Sequence, residues 1–338
     1  MKVLLYFEGE KVISKSGIGR AMKHQMAALT SQGIEYTTDP NDDYDILHIN
    51  TIGPGSAPLI KKCRKLGRKV IYHAHSTEED FRNSFMLSNQ IAPAFKKRLV
   101  YLYSKADRII TPTPYSKSLI ESYGIDLPIH AISNGIDLDR FNYNEENIQA
   151  FRDYFKLQDD QKVIISVGLF FERKGILDFI EVAKRMPQYT FIWFGHVPLY
   201  SIPKNIRNIV TKDHPENVIF PGYISGSVIE GAYCGADAFF FPSKEETEGI
   251  VVLEALASYQ QVILRDIPVF DPWMKHGVNC YKGTTIEDFC DLVEGVAEQR
   301  LPNLKEEGRK TAIARSIPEI GKQLKEVYEL VMADETTV

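Results

Sequence analysis

Short runs of β-branched and aromatic residues alternate with amphipathic segments along the whole chain. Most of these runs are apolar at consecutive positions, which is typical of strands buried on both faces of a sheet. Between these runs, apolar residues recur at the spacing of a helix face, for example at Met22, Met26 and Leu29. The pattern predicts ten strands, at residues 3–7, 46–49, 70–74, 108–111, 129–132, 163–167, 191–194, 218–220, 238–241 and 262–264.

The alternation of strands and helices predicts parallel sheets that helices cover on both faces. A polar, turn-prone stretch at 141–147 precedes the strand at 163–167 and indicates a boundary between two such sheets. We therefore predict an α/β protein with two Rossmann-like, doubly wound domains, residues 1–145 and 146–316. Ligands bind beyond the carboxyl ends of the strands in these sheets, so we expect the site in a cleft where the two domains face each other.

Composition and charge exclude several function classes. The chain has 338 residues, a formal net charge of −5, and 44% apolar and 25% charged residues, which is ordinary for a globular protein. This balance gives no overall attraction to nucleic acid. Residues 1–140 contain 19 basic and 15 acidic side chains, so the first half is positive and the remainder is negative.

Cysteine usage and the apolar runs indicate the compartment. The four cysteines form no CxxC pair, so we expect neither a disulfide framework nor a structural zinc site. No apolar stretch approaches the ~20 residues that span a bilayer, and the run at 3–7 is too short for a signal peptide. We expect a cytoplasmic protein that is soluble or peripheral to a membrane.

Two segments that follow predicted strands are typical of phosphate-binding turns. Gly17 and Gly19 open a helix, where backbone N–H groups favour phosphate, although Met22 replaces the third glycine of a dinucleotide-binding motif. Arg173 and Lys174 precede a glycine at another helix start. Cations oppose the dipole there, so the pair favours an anion such as pyrophosphate. A tight βα turn and a solvated helix start are the alternatives.

Two further segments carry candidate site residues. His75 lies at the end of the strand at 70–74, where functional side chains collect in α/β folds, whereas His73 is expected in the core. Glu254 lies among apolar residues on a helix that begins near Gly249 and Ile250. Burying its carboxylate is costly without hydrogen-bond donors, and sugar hydroxyls are suitable ones. A surface acidic loop is the alternative for the preceding glutamates.

Glu246 and Glu254, which follow a Pro-Ser pair, resemble the Glu-x7-Glu motif of retaining GT-B glycosyltransferases of family 4. Thr247 and Glu248 depart from the Gly and Phe that this family usually carries. The resemblance covers nearly the whole chain. Its other parts are the Gly17–Gly19 loop, His75, Ala106 to Thr111, Ser133 to Phe141, and Arg173-Lys174-Gly175.

The resemblance implies a GT-B fold and a role for each matching residue. Gly17 and Gly19 would present backbone N–H groups to the donor diphosphate, and Arg173 and Lys174 would neutralise the departing nucleoside diphosphate. Transfer would retain the anomeric configuration, with a UDP-sugar as co-substrate and no metal cofactor. In this fold the last helix, here 317–338, crosses back to the first domain.

The remaining roles concern the sugar and the ribose. His75 would contact the outer hydroxyl of the donor sugar, Glu246 would hold that sugar, and Glu254 would hold the ribose hydroxyls. The implied catalytic set is His75, Glu246, Arg173 and Lys174. Gly249 and Ile250 complete the implied nucleotide-sugar site.

Two basic clusters lie in the positive half, which is the half expected to bind the acceptor. Such clusters beside apolar residues suit an anionic membrane surface, although a solvated helix face is the usual reason for a charge run. The candidate membrane and acceptor residues are Lys61, Lys62, Arg64, Lys65, Phe81, Phe85, Lys96, Lys97 and Arg98.

The N-terminal stretch and the segment 73–81 are similar to bacterial diglycosyldiacylglycerol synthases, which add a second hexose to monoglucosyldiacylglycerol. This narrower resemblance implies UDP-glucose or UDP-galactose as donor, a membrane glycolipid as acceptor, and an α-linked product that anchors lipoteichoic acid. It also implies a peripheral position on the inner face of the cell membrane.

Three alternatives remain open from the sequence. One is a family 4 enzyme that acts on a soluble sugar or a cell-wall or capsular polysaccharide. The others are a nicotinamide dehydrogenase, against which the missing third glycine argues, and a non-catalytic sugar-binding protein. Asp43-Tyr44-Asp45 has the D-x-D form of metal-dependent glycosyltransferases, but it precedes a strand, and we expect a loop without metal.

Overall fold

The computed structural model describes residues 1–9 and 17–334. Residues 14–16, which belong to the predicted Gly17–Gly19 loop, lie outside the described residues. The chain divides into two compact units. The first unit contains Met1–Phe81, Gln90–Asp137 and Arg315–Val338, and the second contains Arg82–Asn89 and Leu138–Ala314.

The first unit is built on a six-stranded parallel sheet with the order β2-β1-β3-β4-β5-β6. Its strands are β1 (Lys2–Tyr6), β2 (Glu35–Thr37), β3 (Ile46–Ile49), β4 (Lys69–His73), β5 (Arg108–Thr111) and β6 (Ile129–Ala131). Its described helices are α1 (Gly17–Ser31), α2 (Ser56–Lys65), α3 (Glu78–Phe81), α4 (Ser88–Tyr103), α5 (Pro114–Ser122) and α13 (Ile317–Ala333), with the first two residues of α4 in the second unit.

Helices cover both faces of this sheet because its strands are apolar at consecutive positions. One core cluster joins the sheet to α2 and α4 through residues such as Ile60 and Leu99. The other joins it to α1 and α13 through residues such as Leu29 and Leu324. A Cβ on Gly321 would lie 2.6 Å from the carbonyl oxygen of Ala28, so this glycine lets α13 approach α1 closely.

The second unit has another six-stranded parallel sheet, with the order β12-β11-β10-β7-β8-β9. Its strands are β7 (Val163–Val167), β8 (Thr190–Phe194), β9 (Val218–Gly222), β10 (Ala238–Phe241), β11 (Val262–Arg265) and β12 (Tyr281–Gly283). Its helices are α6 (Glu145–Phe155), α7 (Ile176–Arg185), α8 (Lys204–Thr211), α9 (Ser227–Gly235), α10 (Ile250–Ala257), α11 (Ile286–Ala297) and α12 (Lys305–Ile313).

All ten predicted strands are present, with ends shifted by at most two residues, and two three-residue edge strands, β2 and β12, were not predicted. The units divide after Asp137 and after Ala314, where the sequence predicts boundaries at 145 and 316. Residues 82–89 belong to the second unit, which the sequence does not predict. Among the described residues, no helix is long and apolar enough to cross a membrane.

Candidate active site

In the second unit, β7 and β10 lie side by side at the point where the strand order reverses. From β7 the chain proceeds outward to β8 and β9, and from β10 it proceeds the other way to β11 and β12. Loops that leave such neighbouring strands diverge and open a crevice at their carboxyl ends. The residues that follow these two strands therefore form the candidate site of this unit.

Close backbone packing brings the loops after β7 and β10 together. The loop after β7 ends in a 3₁₀ turn, Glu172–Lys174, and in Gly175, whose φ of +77° is left-handed. A Cβ on Gly175 would lie 2.2 Å from the carbonyl oxygen of Pro242. Glycine is therefore required here both for its conformation and for the close approach.

Lys174 and Glu246 form an ion pair across this junction. Lys174 Nζ lies 2.5 Å from Glu246 Oε1, and Ser243 Oγ donates a 2.7 Å hydrogen bond to the same oxygen. Burial raises the pKa of Glu246, but Lys174 and Arg173 outweigh it and hold this pKa below its usual value. Glu246 is thus a buried, charged carboxylate held beside two cations.

Arg173 is buried and binds the segment 82–89. Its Nε donates to Ser84 Oγ at 2.8 Å, and its Nη1 donates to the carbonyl oxygen of Glu245 at 3.1 Å. Its backbone N–H donates to the backbone carbonyl oxygen of Asn83 at 3.2 Å. The helix-start cation that the sequence singles out therefore also anchors a segment from a distant part of the chain.

Glu254 is fully buried on α10. Its Oε2 accepts a 2.6 Å hydrogen bond from the hydroxyl of Tyr233 on α9, so the protein itself supplies one of the donors that its burial requires. The alternative of a surface acidic loop is wrong, because Glu246 and Glu248 are buried at 4% and 2% exposure.

The first unit has its own cavity, of about 210 Å³, at the carboxyl ends of β1, β3 and β4. Glu8, Asn50 and His75, which follow these three strands, all line it, and Ile18 at the start of α1 lines it as well. Gly17 is exposed and Gly19 is buried in the first turn of that helix.

Asn50 organises the floor of this cavity. Its Oδ1 lies 2.8 Å from His75 Nε2 and accepts a hydrogen bond from Gln25 Nε2 at 2.7 Å. Burial lowers the pKa of His75 to about 3, so the imidazole is neutral at physiological pH. The predicted site residue His75 is thus a buried, neutral histidine whose ring is held by Asn50.

Comparison with known proteins decides the family. Residues 16–140 match the family Glycosyltransferase Family 4, and residues 147–315 match Glycosyl transferases group 1. The chain is 52% identical to the processive diacylglycerol alpha-glucosyltransferase of Acholeplasma laidlawii, over 98% of its own length and 99% of that relative. The chain belongs to the group 1 glycosyltransferases.

A second relative of this glycosyltransferase is the alpha-galactosylglucosyldiacylglycerol synthase of Streptococcus pneumoniae, which is 25% identical over 80% of this chain and 74% of that protein. Solved structures share the fold. HepE from Anabaena, in complex with UDP and glucose, matches with a TM-score of 0.76 and 17% identity, covering 97% of this chain and 99% of HepE. Sucrose-phosphate synthase from Thermosynechococcus elongatus matches with a TM-score of 0.78 and 18% identity, covering 98% of this chain and 99% of that protein. The predicted family and GT-B fold are confirmed.

The basic residues of this glycosyltransferase fall into two groups. Lys61, Lys62, Lys65 and Lys97 are exposed on α2 and α4. The other basic candidates pair with or donate to groups within the first unit. Arg64 pairs with Asp107, Lys96 pairs with Glu78, and Arg98 donates to the carbonyl oxygens of Ile52 and Gly53. The aromatic candidate Phe81 is half-buried and stacks on Phe95.

The Asp43-Tyr44-Asp45 segment lies in the loop before β3, as predicted. Asp43 pairs with Arg68, and Asp45 accepts a hydrogen bond from the backbone of Lys2. Both acidic side chains therefore contact neighbouring parts of the first unit. The expectation that the enzyme needs no metal stays a prediction.

Sequence reasoning missed several side chains that build the two sites. Asn50 directly follows β3, so the rule that located His75 at the end of a strand also points to Asn50. Tyr233, Ser84 and Gln25 carry no such signal, because each reaches its partner only through the packing of separate elements.

Proposed function

We propose that this chain transfers glucose from UDP-glucose to a membrane glycolipid, with monoglucosyldiacylglycerol as the acceptor and an α-linked dihexosyldiacylglycerol as the product. The observation that carries the proposal is the 52% identity, over nearly the full length of both chains, to a processive diacylglycerol alpha-glucosyltransferase. The pneumococcal relative is named for a galactosyl product, so UDP-galactose is the competing donor.

The donor is held by the second unit. Arg173 and Lys174 neutralise the diphosphate as it departs, Glu254 holds the ribose hydroxyls, and Glu246 holds the donor sugar. In support, Arg173, Lys174 and Glu246 are packed together at the strand-order reversal. Gly249, with φ of +88°, and Ile250 at the start of α10 bring backbone N–H groups to the same loop.

The first unit contributes His75 and the start of α1. Neutral His75 bonds a hydroxyl of the donor sugar, and Gly17 and Gly19 present backbone N–H groups to the diphosphate. Stabilising the charge that develops on the leaving group is the main contribution of the protein to a same-face, retaining transfer. This chemistry proceeds without a metal cofactor.

The acceptor is a lipid, and we propose that the enzyme works as a peripheral protein on the inner face of the membrane. The exposed membrane surface, on α2, on Leu66 directly after it and on α4, consists of Lys61, Lys62, Lys65, Leu66, Ile91, Lys97 and Tyr101. Its apolar members are 47–55% exposed, and cations beside apolar side chains bind anionic lipid surfaces.

A second apolar feature lies in the second unit. Phe85, Met86 and Leu87 are 41%, 50% and 63% exposed in succession. The backbone N–H of Met86 donates to the carbonyl oxygen of Ser201, and the ring of Phe85 packs edge-on against Phe171 at 4.7 Å. The turn is thus held by its backbone while its apolar side chains stay accessible to lipid.

Product analysis tests the reaction. The purified chain is incubated with UDP-glucose or UDP-galactose, and with glucosyldiacylglycerol in anionic vesicles, diacylglycerol in anionic vesicles or a soluble glucoside as acceptor. Each reaction is run with and without EDTA, and the products are analysed by mass spectrometry. We expect a dihexosyl lipid from UDP-glucose in both conditions. A product only from diacylglycerol, only from UDP-galactose, or only with a soluble glucoside would contradict the proposal.

Vesicle flotation tests the membrane surface. Lys61→Glu, Lys62→Glu and Lys65→Glu in one variant should weaken binding to anionic vesicles on the order of 100-fold, since each cation contributes about 1 kcal/mol. The matched control is Lys204→Glu, Lys212→Glu and Lys275→Glu, three exposed lysines of the second unit. Equal loss in both variants would show that net charge, and not this surface, drives binding.

A further inference from the structure

Three buried histidines stack in a column through the first unit. His48 comes from β3, His73 ends β4, and His75 follows it. The ring centroids of His48 and His73 are 5.3 Å apart, those of His73 and His75 are 4.1 Å apart, and the ring planes within each pair are parallel to within 8°. All three side chains are at most 8% exposed, and the last two line the cavity.

A continuous chain of hydrogen bonds links this column to the last helix. Tyr328 lies on α13 and is fully buried. The polar contacts are Tyr328 Oη to His48 Nδ1 at 2.7 Å, His48 Nε2 to His73 Nδ1 at 3.2 Å, Gln25 Nε2 to His73 Nδ1 at 2.9 Å, Gln25 Nε2 to Asn50 Oδ1 at 2.7 Å, and His75 Nε2 to Asn50 Oδ1 at 2.8 Å.

The two amides set the direction of these bonds. An amide nitrogen only donates, so His73 Nδ1 accepts from Gln25, and neutral His73 carries its proton on Nε2. An amide oxygen only accepts, so His75 donates from Nε2 to Asn50 and leaves Nδ1 as an acceptor. His73 Nδ1 has no proton and a single lone pair, so Gln25 at 2.9 Å and His48 Nε2 at 3.2 Å share it as the stronger and the weaker donor, and the hydroxyl of Tyr328 donates to His48 Nδ1.

We propose that Tyr328 is a positioning residue for glycosyl transfer, which acts through His48, His73, Gln25 and Asn50 to fix the hydrogen-bonding pattern that His73 and His75 offer to the substrate. The kinetic part of this inference rests on the proposed function. Without the hydroxyl of Tyr328, His48 Nδ1 has no donor, and His48 is free to take the opposite tautomer and reverse the bond to His73.

The cavity end of the network supports this inference. His73 Nε2 and Asn50 Nδ2 are buried donors without a hydrogen-bond partner among the described residues, and Gln25 Oε1 is an equally unpartnered acceptor. Leaving such groups buried is costly unless a partner arrives. His73 and Asn50 belong to residues that line the cavity, so a hydroxyl-bearing substrate is the partner that fits.

We call the hydrogen-bonded chain from Tyr328 to His75 the relay. The tautomers of its histidines test it without any substrate. In ¹⁵N-labelled full-length protein, long-range ¹H–¹⁵N spectra distinguish a protonated from a bare ring nitrogen. We expect the Nε2–H tautomer for His48, His73 and His75 in the wild type, and altered signals of His48 and His73 in Tyr328→Phe. Tyr44→Phe is the matched control, because it removes a buried hydroxyl of the same unit whose partner is Cys63.

Kinetics test the consequence for transfer. Tyr328→Phe should lower kcat for glucose transfer roughly tenfold, about 1.4 kcal/mol, with KM for UDP-glucose unchanged. Tyr328→Phe and Gln25→Leu should be less than additive in ln kcat although no hydrogen bond joins the two side chains directly, because they interrupt one chain of hydrogen bonds. Tyr44→Phe should leave kcat unchanged.

The outcomes separate the two claims. Unchanged tautomers in Tyr328→Phe, or additive effects with Gln25→Leu, would overturn the relay even if turnover falls, because a merely structural role gives that pattern. A wild-type chain that transfers no glucose to a glycolipid would contradict the proposed function, and the tautomer measurement would still decide the relay.

Discussion

Lys174 Nζ lies 2.5 Å from Glu246 Oε1, although the two residues are 72 positions apart in the sequence. One follows β7 and the other follows β10, and these strands are neighbours where the sheet order reverses. The pair therefore joins two motifs that the sequence shows separately. It also places a charged carboxylate beside the cations that are expected to meet the diphosphate.

Glu246→Gln should reduce kcat on the order of 100- to 1,000-fold, the usual effect of removing one preorganised electrostatic group. Glutamine keeps the shape of the side chain but loses the charge that holds Lys174. Steady-state kinetics of glucose transfer check this, with circular dichroism to verify the fold.

Lys244→Ala is the control for this loop, since Lys244 is exposed and its partner Asp178, at 3.2 Å, also pairs with Arg265. It should keep near wild-type turnover. Wild-type activity in Glu246→Gln would remove Glu246 from the catalytic set.

Glu254→Gln should weaken UDP binding by roughly 10- to 100-fold, because hydrogen bonds to a charged group contribute about 1.5–3 kcal/mol. Tyr233→Phe removes the 2.6 Å hydrogen bond to the same carboxylate and should weaken UDP binding less than Glu254→Gln does. Isothermal titration with UDP measures both. An unchanged dissociation constant in Glu254→Gln would show that the carboxylate serves only the packing of α9 and α10.

Stability should decrease in acid because of the histidine column. Burial lowers the pKa of His48 and of His75 to about 3, and it lowers that of His73 well below its usual value. In the unfolded chain these groups titrate near pH 6.5, so between about pH 6.5 and about pH 3 the unfolded state binds more protons. The free energy of unfolding is therefore highest above that window and decreases within it as pH falls.

The expected slope is on the order of 1 kcal/mol per pH unit for each histidine. Urea unfolding at about pH 7 and about pH 5 measures it. In His48→Asn, the free energy of unfolding should decrease less steeply with falling pH, by the contribution of one histidine. Identical slopes in the variant and the wild type would mean that other groups cause the acid sensitivity.

The C-terminal helix should be essential for activity. Leu324, Val327 and Val331 on α13 pack in the core over one face of the first sheet, and Asp334 pairs with Arg108 beyond its end. A chain that stops after Arg315 exposes that apolar face and loses Tyr328. We expect no glucose transfer and a lower unfolding temperature, and wild-type turnover by the shortened chain would refute this.

Much of the fold was predictable because buried parallel strands leave apolar runs. The two missed strands, Glu35–Thr37 and Tyr281–Gly283, are three residues long, and each carries polar residues. Both are edge strands with a single neighbour, so pairing with that neighbour and not their own composition defines them. Residues 82–89 belong to the second unit for a similar reason. Their place depends on hydrogen bonds to Arg173 and Ser201, which are distant in the sequence.

The candidate site was predictable where a motif lies within one loop, as for Arg173-Lys174 and for Glu246. The side chains from other elements that contact these motifs were not predictable. Tyr328 is 280 positions from His48, and no local pattern indicates their contact. The basic runs show the same limit, because charge alone does not reveal that Arg64 already pairs with Asp107.

The anomeric configuration of the lipid product tests the central claim most directly. The wild-type chain is supplied with UDP-glucose and glucosyldiacylglycerol in anionic vesicles, and NMR of the purified product reads the new glycosidic bond. A retaining glucosyltransferase gives a dihexosyl lipid in which the transferred glucose is α-linked, as it is in the donor. A β-linked product, or release of free glucose without any lipid product, would contradict the account.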